Sequence, residues 1–175
     1  PSAPAAASRE PALRQFLRNR LGLPDPLPAV TGEKVGREEK DGVLAEFWLF
    51  EPEPGIRLPG LVLAGKDPSE TMVLVPGRNA EAVARALRGG FRAFAFDPRG
   101  TGEMQDGGGR ARNWAWFAGR PWPGMWALDI LQAARFCRDR FPGSTIVVEA
   151  ADRFGWPALL AGAAVPGSIR SGSVL

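Results

Sequence analysis

The chain has 175 residues, of which 45% are apolar and 23% are charged, and this composition fits a soluble globular domain that can bury a core of its own. The net charge of +3 comes almost wholly from scattered arginines, which argues against a nucleic-acid-binding surface, and no run of about 18 apolar residues offers a transmembrane helix. The sequence has no histidine, which removes the commonest general base and metal ligand, and its one cysteine excludes an internal disulfide bond.

The chain is expected to begin with a tail and a helix. Residues 1–8 are rich in Pro, Ala and Ser, which is typical of a disordered segment. Residues 10–21 are predicted to be helical because Pro11 suits a first helical turn, leucine and phenylalanine recur at helical spacing, and Gly22 follows. We assign residues 1–28 to this N-terminal tail and helix.

Two antiparallel strands are predicted near the start of the main domain, which comprises residues 29–175. Residues 34–40 are charged and are interpreted as a solvated approach to the first strand. Residues 43–51 alternate between apolar and polar side chains, which predicts an outer antiparallel strand, and residues 58–64 predict a second one.

The rest of the main domain alternates between short apolar runs and helices. The predicted elements are a strand at 71–75, a helix at 80–88, a strand at 91–96, a helix at 124–140, a strand at 145–148, a helix at 156–164 and the start of a further strand at 169–175. Residues 103–122 are predicted to be irregular. Because strands that alternate with helices usually pair in parallel, the sequence predicts the α/β class, with a mostly parallel sheet and helices on both faces.

The clearest motif follows the strand at 91–96, where Asp97-Pro98-Arg99-Gly100-Thr101-Gly102 breaks the chain sharply. Together with the order of the elements, this motif resembles the α/β-hydrolase family, most closely its bacterial acetylxylan-esterase-like and dienelactone-hydrolase-like members. The resemblance spans about residues 40–175 and is carried by Val73–Asn79, Phe94–Glu103, Ala127–Leu131, and Thr145–Val148 with Ala158–Leu160. It implies an incomplete α/β-hydrolase-like fold.

The resemblance also implies where the catalytic machinery of an ester hydrolase would lie. The loop after the strand at 71–75 would supply an N–H group of the oxyanion hole from Gly77 or Arg78, although an ordinary strand-end turn would look the same. Arg153 would supply the second N–H group. Asp97 and Arg99 would be structural and would hold the loop that follows their strand.

The nucleophile of the family lies in a Gly-x-Ser-x-Gly turn between a strand and a helix. In the best register Ala150, Asp152 and Phe154 occupy the three motif positions, so both glycines are missing and the serine is replaced by Asp152. The dehalogenase and epoxide-hydrolase branches of the fold use an aspartate, which attacks as a carboxylate and needs a histidine-activated water for release. Because Phe154 suits a tight turn poorly, the pattern favours a degenerate, non-catalytic elbow.

The acid and the histidine of the family's triad come after the nucleophile in chain order, and this chain ends before them. We therefore expect a protein partner, or another segment, to complete the sheet, since an open edge at residues 169–175 would be prone to aggregate. A short variant whose last strand is covered by itself or by a copy is the alternative. The function expected is part of a carboxylic-ester hydrolase acting on a small ester or carbohydrate ester, or else a catalytically inactive pseudo-hydrolase that serves as a binding or assembly subunit.

Other chemistries have less support in the sequence. No phosphate-binding loop, complete dinucleotide motif or calcium loop occurs, so we predict neither a cofactor nor a metal. Trp114, Trp116, Trp122 and Trp126 would stack on a sugar ring or, more commonly for tryptophan, pack in a core or lid. Localisation stays open: the chain starts without Met, so removal of a leader, which would imply export to the periplasm or beyond, and removal of a tag are both considered.

Overall fold

A computed structural model describes residues 10–105, 115 and 117–170 of the chain. These residues form one six-stranded mixed sheet with helices on both faces, which confirms the predicted α/β class. The helices are α1 (Glu10–Leu21), α2 (Ala80–Arg88), α3 (Trp122–Arg140) and α4 (Gly155–Ala164). The strands are β1 (Thr31–Lys40), β2 (Val43–Glu53), β3 (Ile56–Ala64), β4 (Thr71–Pro76), β5 (Arg92–Phe96) and β6 (Thr145–Val148).

The sheet has an antiparallel half and a parallel half. Its strand order is β1-β2-β3-β5-β4-β6. The pairs β1–β2, β2–β3 and β3–β5 are antiparallel, whereas β4 is parallel to both β5 and β6. The carboxyl ends of β4, β5 and β6 therefore meet at one edge of the parallel half, which is where α/β sheets bind their ligands.

The two faces of the sheet have cores of different character. On one face α1, α3 and α4 cover a large aromatic core, in which the ring of Phe50 lies 5.5 Å from that of Phe94 and 5.7 Å from that of Phe136. On the other face α2 packs on the sheet through small side chains only. This thinner core consists of Val73, Val75, Ala82, Ala86, Ala93 and Ala95, with Leu63 and Val83 beside it.

The outermost strand differs from the prediction. Residues 34–40 are not an approach to a strand but belong to β1, which pairs with β2 along its length, so that β2 is not the outer strand. Nine of the ten β1 residues are exposed, and this removes the apolar alternation by which a strand is recognised. Its charged side chains protect the edge and pair across the sheet, with Lys34 Nζ 3.0 Å from a carboxylate oxygen of Glu46.

The last described residues begin to extend the sheet. Arg170 forms a parallel bridge with Val147, and its N–H group donates to the carbonyl oxygen of Ile146 at 2.9 Å. Residues 171–175, the remainder of the predicted seventh strand, lie outside the described part of the chain. None of the described helices is long and apolar enough to cross a membrane.

Candidate active site at the carboxyl ends of the parallel strands

Three loops meet at the carboxyl ends of the parallel strands. They follow β4, β5 and β6, and they carry Gly77 with Arg78, Asp97 with Arg99, and Asp152 respectively. Contacts of Gly77 and Arg78 connect the first loop to each of the other two. The sequence-predicted site residues are thus brought to one edge of the sheet by strand order alone.

The loop after β4 is a tight turn that leads directly into α2. Gly77 and Arg78 both have left-handed backbone angles, with φ of 82° and 51°. The side chain of Asn79 caps α2, because its oxygen accepts from the N–H groups of Glu81 and Ala82 at 3.0 and 3.1 Å. This turn and cap fix the position of the backbone at the candidate oxyanion residues.

Both candidate oxyanion N–H groups in this loop already donate to the chain's own backbone. The N–H of Gly77 donates to the carbonyl oxygen of Phe96 at 2.8 Å, and that of Arg78 donates to the carbonyl oxygen of Val75 at 3.3 Å. The first bond also ties the loop to the end of β5. An oxyanion would have to replace one of these acceptors.

The side chain of Arg78 holds the first two loops together. It donates to the buried carboxylate of Asp97 and, at 2.9 Å, to that of Glu103. Burial alone would lower the pKa of Arg78, but the hydrogen bonds and charges of Glu103 and Asp97 raise it above its ordinary value. Gly102 allows this arrangement, because a Cβ atom there would collide with the Asp97 carboxylate.

A second ion-pair network fixes the loop after β5, as the sequence predicted for Arg99. The backbone N–H and the Nε of Arg99 each donate to the fully buried carboxylate of Asp129 on α3 at 2.9 Å. Arg99 also contacts Glu53 at the end of β2, and Arg120 donates to Glu53 at 2.6 Å. Burial alone would raise the pKa of Glu53, but the hydrogen bonds and charges of Arg99 and Arg120 hold it below its ordinary value.

The third loop is a sharp turn between β6 and α4. The N–H of Glu149 still donates to the carbonyl oxygen of Leu74 at 2.9 Å, and α4 begins at Gly155. Between them Asp152 is exposed and has a left-handed φ of 52°. The same angle occurs at Asp41, which lies between β1 and β2, so φ alone does not distinguish Asp152. What distinguishes Asp152 is its place between a parallel strand and a helix, where the sequence predicted the elbow.

Phe154 fills the space between the elbow and the loop after β4. Its buried ring lies edge-on to Trp126 with ring centres 5.3 Å apart, and it covers Gly77 so closely that a Cβ atom on that glycine would be 2.5 Å from the ring. The sequence indicated that Phe154 suits a tight turn poorly. The structure accommodates it by turning the ring inward, where the missing side chain of Gly77 makes room.

An ion pair that no sequence pattern predicts lies beside the turn at Asp152. Arg85 on α2 donates through Nε to a carboxylate oxygen of Glu149 at 2.9 Å. The two residues are 64 positions apart, and no spacing or motif connects them. The pair joins the helix after the candidate oxyanion loop to the strand end before Asp152.

The remaining predicted residues have simple surroundings. Arg153 is exposed, with its guanidinium 5.9 Å from the centre of the Phe154 ring. Trp126 donates to the carbonyl oxygen of Arg99 at 3.0 Å and Trp122 packs on Gly100, while Trp114 and Trp116 lie outside the described residues. Within residues 10–105, 115 and 117–170, no group of three or more His, Cys, Asp or Glu residues could hold a metal ion.

Only solved structures are similar to this chain, and their similarity concerns the fold. No family model and no curated protein matches the sequence. Among solved structures, a protein described as an acetyl xylan esterase from Bacteroides fragilis matches with a TM-score of 0.75 and 18% identity, over 95% of this chain and 52% of that one. A methylesterase matches with a TM-score of 0.74 and 19% identity over 94% and 40% of the two chains.

A third similar structure is an acetyl xylan esterase from Thermoanaerobacterium, with a TM-score of 0.62 and 16% identity over 94% of this chain and 56% of that one. The chain therefore spans roughly 40–56% of the length of these three structures. At such low identity the likeness shows the fold alone. The described residues have a partial α/β-hydrolase fold.

Proposed function

We propose that this chain is part of a carboxylic-ester hydrolase in which Asp152 occupies the nucleophile position and Gly77, Arg78 and Arg153 lie on the oxyanion side. The observation that carries the proposal is the exposed Asp152 in a left-handed turn between β6 and α4, beside the loop after β4. The similar structures are named as esterases, two of them for acetyl xylan. A small ester or a carbohydrate ester is accordingly the proposed substrate.

The proposed chemistry needs groups that this sequence lacks. The carboxylate of Asp152 would attack the carbonyl carbon of the ester and form an acyl-aspartyl anhydride, while the bond from that carbon to the alcohol oxygen breaks and the alcohol leaves with a proton from a general acid. A base-activated water would then hydrolyse the anhydride, which releases the carboxylic acid and restores Asp152. The 175 residues contain no histidine to activate that water. The acid and the histidine would therefore come from another segment or a partner chain.

The surface of α4 supports such a partner. This helix has no charged or hydrogen-bonding side chain apart from its tryptophan, yet Trp156 is 73% exposed and Leu159 is 51% exposed. A helix that is apolar all round is normally buried. The bridge of Arg170 to Val147 begins a further parallel strand beside β6, which supports a sheet that continues in this direction. The partner would add strands beyond Arg170 and cover α4.

The test uses the assembly as it exists in the source cells. It is isolated without denaturation and weighed intact, and we expect a mass above the 18.8 kDa of this chain because of a second polypeptide. The assembly is then assayed with p-nitrophenyl acetate, and Asp152→Asn should lower the rate about a thousandfold or more. Asp67→Asn, at an exposed aspartate between β3 and β4 that has the same φ of 52°, is the matched control. An unchanged rate with Asp152→Asn would refute the proposed role of Asp152.

A catalytically inactive pseudo-hydrolase is the second candidate. It is favoured by the internal hydrogen bonds of the Gly77 and Arg78 N–H groups and by the ring of Phe154 over Gly77. This candidate predicts an assembly that contains the partner but hydrolyses no ester, either as the natural protein or with Asp152→Ser. Activity that depends on position 152 would exclude it.

A further inference from the structure

A cavity of about 450 Å³ opens on the outer side of α3, away from the candidate active site. It lies between the C-terminal half of α3, the linker between α1 and β1, and the loop that follows α4. Because α4 starts at the elbow and the cavity lies beyond its other end, the two places are separated by about 15 Å of helix. The cavity is therefore a site distinct from the one already described.

One part of the cavity wall is apolar. Leu131 on α3 is buried, and Leu27 and Val165 are partly buried and pack on the main core. The volume lies within the range of about 300–1,000 Å³ that is usual for small-molecule sites. This wall suits the hydrocarbon part of a ligand.

The other part of the wall carries two arginines without carboxylate partners. Arg135 and Arg138 are three residues apart on α3 and so share one side of the helix. Their guanidinium groups donate to backbone carbonyl oxygens, Arg135 to that of Pro28 at 3.2 Å and Arg138 to that of Ser168 at 2.6 Å. Among the described residues, neither guanidinium has a carboxylate oxygen within 4.0 Å.

These two arginines still have unused hydrogen-bonding capacity. A guanidinium has five N–H donors, and the Nε of Arg138 is buried with no acceptor in the described part of the chain. By contrast, Arg99, which is also largely buried, contacts two carboxylates. An anionic group in the cavity would offer charged acceptors to the remaining N–H groups of Arg135 and Arg138, which line it.

The net charge of the cavity wall indicates how much negative charge a bound anion would carry. Asp139 also lines the cavity, so its three charged side chains sum to one positive charge. A monoanion balances that charge, whereas a phosphate monoester, which is largely a dianion at neutral pH, overcompensates it. We propose that this cavity binds a small monocarboxylate with an apolar body, whose carboxylate meets Arg135 and Arg138 and whose hydrocarbon part lies on Leu27, Leu131 and Val165. This inference does not rest on the proposed function.

The first arm of the test compares three ligands on the unmodified chain. Hexanoate, 1-hexanol and hexyl phosphate share one hydrocarbon body and differ in charge. Titration calorimetry should show saturable binding of hexanoate at one site per chain, with 1-hexanol at least about tenfold weaker because it lacks the charge-assisted bonds. Binding of 1-hexanol or hexyl phosphate as tightly as hexanoate, or no hexanoate binding, would overturn the proposal.

The second arm assigns the site to the two arginines. Arg135→Met and Arg138→Met each keep an apolar stem and should weaken hexanoate binding about tenfold. Arg88→Met removes an equal charge from the exposed end of α2 and should leave binding unchanged. Arg135 is exposed, so its variant is expected to fold even if removal of the part-buried Arg138 impairs folding. Unchanged hexanoate binding by folded Arg135→Met contradicts the assignment.

Discussion

The contact between Phe154 and Gly77 predicts a large cost for one added methyl group. Gly77→Ala places a side chain at φ of 82° and within 2.5 Å of the Phe154 ring. The left-handed backbone costs about 1–2 kcal/mol, and overpacking against the ring costs about 1–3 kcal/mol more. We expect the free energy of unfolding, measured by urea denaturation at fixed pH, to fall by the combined amount.

Gly55→Ala separates the two contributions. Gly55 has the same φ of 82°, but nothing lies within 4 Å of its added Cβ atom. This control should lose only the backbone contribution of about 1–2 kcal/mol. If Gly77→Ala costs no more than Gly55→Ala, the ring of Phe154 does not cover the loop after β4.

A double-mutant cycle tests the same contact from the other side. Phe154→Ala alone should cost about 3–5 kcal/mol because it empties a buried aromatic position. In that background Gly77→Ala should lose its overpacking contribution, so the two changes together should cost about 1–3 kcal/mol less than their sum. Strict additivity would refute the reasoning.

Three further predictions concern the ion-pair network and α4. Asp129→Asn should lower the free energy of unfolding in urea by about 1.5–3 kcal/mol, because it removes a charged acceptor of the buried Arg99 and leaves Glu53 as the remaining carboxylate partner; a loss below about 0.5 kcal/mol would contradict this. The pKa of Glu53 is lower in the folded than in the unfolded chain, so its carboxylate stabilises the fold above the unfolded pKa of about 4.3, and this stabilisation is lost as the pH falls through the folded value. The difference in the free energy of unfolding between the natural chain and Glu53→Gln should therefore shrink in acid. A pH-independent difference would be the contrary result. Replacing Trp156 and Leu159 together by serine should reduce self-association of the isolated chain in sedimentation velocity, with little change in its unfolding midpoint; increased association would argue against an apolar docking surface on α4.

The sequence predicted best those elements whose burial shows in their pattern of apolar residues. The parallel strands β4 and β5 are continuous apolar runs because both of their faces are covered, and α2 ends where Gly89 follows it. The edge strand β1 was missed for the opposite reason, since its pairing is made by backbone groups that side-chain patterns do not record. Burial pattern thus predicts the centre of this sheet better than its edge.

The candidate site was predictable in position but not in its contacts. The motif around Asp97 and the turn at Asp152 indicated where the loops lie. The pairing of Arg99 with Asp129 spans 30 residues, and that of Arg99 with Glu53 spans 46, so no local pattern could reveal either. The covering of Gly77 by Phe154 likewise depends on how two loops pack in three dimensions.

The small side chains between α2 and the sheet determine how far the Gly77–Arg78 loop lies from the sheet. Ala82 and Ala86 of α2 share one core cluster with Ala93 and Val73 of the sheet, and the capped first turn of the helix follows directly from the loop. A larger residue at any of these positions would move α2 away from the sheet. The loop would move outward with the helix, although no residue of the loop itself had changed. Variation in this alanine layer therefore provides a route by which the space beside the elbow can be widened while every residue lining it stays the same.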